Sequence, residues 1–80
     1  MDEFEVQAAH YNMACAHAQL GNASQACASL RVTFEAGFDN YATVRSDPDL
    51  AVLVGNPDFE AVMKDFEGPT GFNPFGLFQK

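Results

Sequence analysis

Three observations predict an all-α fold. Helix-start and helix-stop residues bracket most of the apolar runs, apolar residues recur at three- and four-residue spacing, and no segment alternates apolar with polar residues in the β-branched manner of strands.

The elements follow in order. Between Phe4 and Leu20, the residues His10, Met13, Ala14 and His17 fall at i, i+3, i+4 and i+7, one face of an amphipathic helix, and Gly21 supplies a left-handed stop. Asn22 is placed to cap a second helix, with Gln25 reaching back as in a capping box; Ala26, Leu30 and Phe34 form its stripe and Gly37 ends it. A connection of about two residues forces these helices to lie antiparallel and side by side.

Three further starts follow: Asn40 before YATVRS, Asp47-Pro48 and Asn56-Pro57. The last two put a capping side chain ahead of a proline at the first helical position, where its missing N–H costs nothing. Phe59, Val62, Met63 and Phe66 carry the final helical stripe, and Gly68-Pro69 stops it. Residues 68–80, GPTGFNPFGLFQK, differ in kind: a Gly/Pro-rich, non-helical aromatic tail.

With 80 residues and 48% hydrophobic content, the chain makes one small domain near the lower size limit for a self-sufficient core. That leaves little room for a large catalytic cleft. Eleven acidic residues against four basic ones give a net charge of -7, which opposes nonspecific binding to nucleic acid and to anionic lipid. No run is long and apolar enough to span a membrane, and MDEFEVQAAH is acidic where targeting peptides are basic. A soluble chain, or one peripheral to a complex, is expected.

Cys15, His17, His10 and Cys27 are the residues that invite a chemical reading. On a helix turning about 100° per residue, Cys15 and His17 point about 200° apart, while His10 and His17 share a face but stand about 10.5 Å apart along the axis. Neither pair can hold one ion, so no metal site and no cofactor are expected. A Cys15–Cys27 disulfide requires Cα atoms within about 7 Å, which spacing alone does not decide. An activated thiolate needs an electropositive setting, and the neighbours here are alanine, asparagine and glutamine. The expected role of the thiols is packing. Asp47, Asp49, Asp58 and Glu60 suggest an acidic cluster, but Asp49 and Asp58 follow prolines in first helical turns, where they complement the helix dipole.

Over about residues 8–38 the chain resembles a tetratricopeptide repeat: Leu20-Gly21-Asn22 matches the turn between the repeat's two helices, Ala14 and Ala26 fill the close-contact positions, and Tyr11-Asn12-Met13 matches the start of the first helix. His10 and His17 stand where that family carries large aromatics, Thr33 replaces an alanine, and Phe38 replaces the terminal proline. Residues 39–67, with the turn Ala36-Gly37-Phe38 before them, resemble the segment that closes arrays of such repeats. The resemblance implies a terminal repeat plus cap over 1–67, followed by the tail.

It also implies a noncatalytic protein-protein interaction module, a small scaffold, assembly or accessory subunit of a larger multi-subunit complex. Its groove would carry Ala8, Tyr11, Cys15, Ala18 and Gln19. The groove lacks the lysines with which co-chaperone members of the family hold acidic peptide tails; a helix or hydrophobic segment suits it better. In the tail, Phe72, Phe75 and Phe78 recur every third residue and make candidate anchors for a partner or for this domain's own apolar face. The cap and aromatic tail further resemble repeat proteins that attend photosystem assembly in plastids and cyanobacteria. The alternatives are a thiol redox or metal-binding protein using Cys15 and Cys27, and a co-chaperone.

Overall fold

Asp2 opens the first helix with a complete capping box: the Glu5 backbone N–H donates to the Asp2 carboxylate (2.8 Å), and the Asp2 N–H donates to the Glu5 carboxylate (3.1 Å). The computed structural model describes residues 2–68. These form helices α1 (Glu3–Gln19), α2 (Ala23–Glu35), α3 (Tyr41–Ser46), a 3-10 helix (Pro48–Leu53) and α4 (Pro57–Glu67). The fold is all-α, with no strand among the described residues. Phe72, Phe75 and Phe78 lie outside them.

Both long helices end in the same way. After α1 the N–H of Gly21 reaches Ala18 O (3.1 Å) and that of Asn22 reaches His17 O (2.8 Å); after α2, Gly37 reaches Phe34 O (2.9 Å) and Phe38 reaches Thr33 O (3.3 Å). These paired bonds require a positive φ at the glycine, 81° at Gly21 and 110° at Gly37. The first of these turns reverses the chain, and α1 and α2 pack as an antiparallel hairpin. Alanine makes the close approach possible: Ala14 and Ala26 are fully buried and Ala18 nearly so.

The shorter elements cover the hairpin on two sides. The 3-10 helix lies along α1, and α4 along α2. Leu50, Leu53, Phe59, Val62 and Met63 are thereby buried with Leu30 and Val44 in one core. Asn40, Asp47 and Asn56 each accept a backbone N–H at their helix starts, from Thr43, Asp49 and Asp58. Two arginines tie α4 down from outside. Arg45 on α3 pairs with Glu67 (2.8 Å) and Glu60 (3.5 Å), and Arg31 on α2 pairs with Asp65 (3.0 Å) while lying over the Phe66 ring.

Several local expectations are corrected. The buried face of α1 is Ala14 and Ala18, flanked by Tyr11 and Cys15, not the stripe His10, Met13, Ala14, His17; Met13 is 45% exposed. Apolar residues ring α1, so spacing alone cannot choose its inner face. His10 donates from Nδ1 to Val6 O of its own helix (2.9 Å), and Nδ1 of His17 is buried without a partner. Asn22 stands at the N-cap of α2, but its side chain caps nothing and no box forms with Gln25. The helix predicted after Asp47-Pro48 is 3-10, ending at Leu53 just before Val54 and Gly55 turn the chain (φ 88° at Gly55).

Candidate functional site

The stripe Phe4, Ala8 and Tyr11 on α1 forms one wall of an open groove. Phe38, Thr43 and Asp47 form the opposite wall, with Gln7 and Asn12 along the α1 side, enclosing about 420 Å³. Phe4 stands 80% exposed at the mouth.

Tyr11, Asp47, Phe38 and Gln7 are each held by an identifiable contact. The Tyr11 hydroxyl donates to the Asp47 carboxylate at 2.6 Å, and the other Asp47 oxygen accepts the Asp49 N–H at 2.9 Å. One carboxylate thus caps the 3-10 helix and fastens it to α1. Tyr11 meets Phe38 edge to face (5.6 Å between ring centroids), and Phe38 stacks on Phe34, which in turn touches Tyr41 and Phe66. The groove's aromatic side is therefore continuous with the core. Gln7 closes the far end by donating from Nε2 to Ala36 O (2.9 Å).

The expected groove face of α1 divides in two. Ala8 and Tyr11 line the open groove, whereas Ala18 is 3% exposed in the core and presents no binding surface. Cys15 packs against the core, and Gln19 donates to Asp49 O (3.1 Å) on the 3-10 helix. The physical reason is that Leu50 and Leu53 must bury their own surface, and the second half of this α1 face is where they do so. Phe4, Phe38 and Thr43 complete the site. Phe4-Ala8-Tyr11 spacing was a legible signal; the approach of Phe38 and Thr43 was not, because it depends on how α3 folds back.

Burial and neighbouring carboxylates favour the neutral form of the Tyr11 phenol in the groove and of the two thiols elsewhere in the hairpin. Burial, then the hydrogen bond and charge of Asp47, push the Tyr11 phenol far above its usual range. Burial followed by Asp47 and Asp49 raises the Cys15 thiol; burial followed by Asp58 raises Cys27, with Arg31 opposing weakly. Both cysteines are free, and both hold their protons more tightly than an ordinary thiol. Since the thiolate is the nucleophile, Cys15 and Cys27 should each react with a disulfide reagent at pH 8 more slowly than free cysteine. Titration without reductant should count two thiols; a fast or bridged pair would favour the redox alternative.

Among the described residues no group of three His, Cys, Asp or Glu side chains converges as a metal site, and no helix is long and apolar enough to cross a membrane. A second surface depression, about 350 Å³, lies between α2 and α4 around Cys27, Arg31 and Asp58. It is the more polar of the two.

No family model matches this chain, and no solved structure matches it. The chain is 32% identical over 63 residues to a chloroplastic protein of Arabidopsis thaliana. The match takes in 79% of this chain and 19% of that protein, so the chain spans about a fifth of the length of the relative it resembles.

Proposed function

We propose that this chain is a noncatalytic, tetratricopeptide-like protein-protein interaction module, serving as a scaffold, assembly or accessory part of a larger complex. The observation that carries the reading is the open groove of Phe4, Ala8, Tyr11 and Phe38, an apolar and aromatic recess on a domain of net charge -7. Its walls are set by Asp47 and by a stacked aromatic core, so an incoming segment meets a preformed surface and loses little ordering entropy. Asp47 in its wall and the net charge of -7 disfavour acidic peptides. The occupant is an uncharged or basic apolar segment of a protein partner, docked as a short helix or extended aromatic stretch. The protonated thiols support packing over catalysis for Cys15 and Cys27.

The chloroplastic designation of the Arabidopsis relative supports a plastid setting, and with it a photosynthetic membrane complex as the assembly served. The test compares three full chains as baits in chloroplast extract: unaltered, Ala8→Arg, and Phe72, Phe75 and Phe78 all changed to alanine. Ala8 is exposed in the groove, so an arginine there blocks it without touching the core. Loss of a specific partner with Ala8→Arg is the expected result. Loss only with the tail variant would move recognition to residues 68–80, and turnover abolished by Cys15→Ser would overturn the reading.

A further inference from the structure

We draw no further inference here: the strongest candidate, the polar depression between α2 and α4 around Ser24, Cys27, Arg31 and Asp58, is lined by no unpartnered buried polar atom that would point to a ligand, and nothing in the structure shows what covers it.

Discussion

Phe59→Ala is expected to cost about 3–5 kcal/mol, the range for emptying a fully buried aromatic site. Phe59 has no exposed surface, is the largest fully buried side chain, and sits where α4 packs against α2. A domain of this size has roughly 4–12 kcal/mol of stability, so one substitution removes a large share of it. The melting temperature should fall by about 15–30 °C, read by far-ultraviolet circular dichroism. Val52→Ala, at a 65% exposed site, should stay within about 0.5 kcal/mol of the parent. A Phe59→Ala protein as stable as Val52→Ala would mean that α4 is not part of the cooperative core.

Asp47→Ala should cost about 2–3 kcal/mol, because it removes both the hydrogen bond from Tyr11 and the cap of the 3-10 helix. It should also weaken the partner binding proposed for the groove, since Tyr11 loses the contact that sets the groove wall. A double-mutant cycle with Tyr11→Phe isolates the shared contact: the combined loss should fall short of the two single losses added together. Additive losses would show that the 2.6 Å bond contributes nothing to stability.

The same contact predicts an alkaline limit. Folding raises the Tyr11 phenol above its unfolded value of about 10, so the protonated hydroxyl's contribution is complete below that pH. It is lost as pH rises toward the folded value, because the unfolded chain then binds fewer protons than the folded one. Tyr41, Cys15 and Cys27 are shifted in the same direction and add to the slope. Urea unfolding should therefore show stability beginning to decline near pH 9, where the unfolded thiols ionise, and falling further above about pH 10, the latter part less steeply in Tyr11→Phe.

How much of this was legible in the sequence depends on the range of the interactions involved. Capping and glycine signals act within a few residues, so Asn40, Asp47-Pro48, Asn56-Pro57, Gly21 and Gly37 marked the helix ends. Asn22 failed as a side-chain cap because Gly21 had already set the path: Asn22 gives its N–H to His17 O and holds a backbone angle from which its side chain caps nothing. The stripe of α2 was also readable, since Ala26, Leu30 and Phe34 are all buried.

The lining of the groove was only half legible. Ala8 and Tyr11 line the groove as the resemblance to tetratricopeptide repeats implied, but Ala18 and Cys15 went to the core and Gln19 to the 3-10 helix. Where helices start and stop, their pairing as a hairpin, and the acidity of the domain could all be read from the residues alone, because each follows from local backbone chemistry or from composition. Which side of α1 faces inward, and which residues stay open, emerged only once the elements had packed together. α1 is apolar around most of its circumference, and the choice rests on contacts between residues some thirty positions apart: Leu50 and Leu53 against α1, and Asp47 against Tyr11.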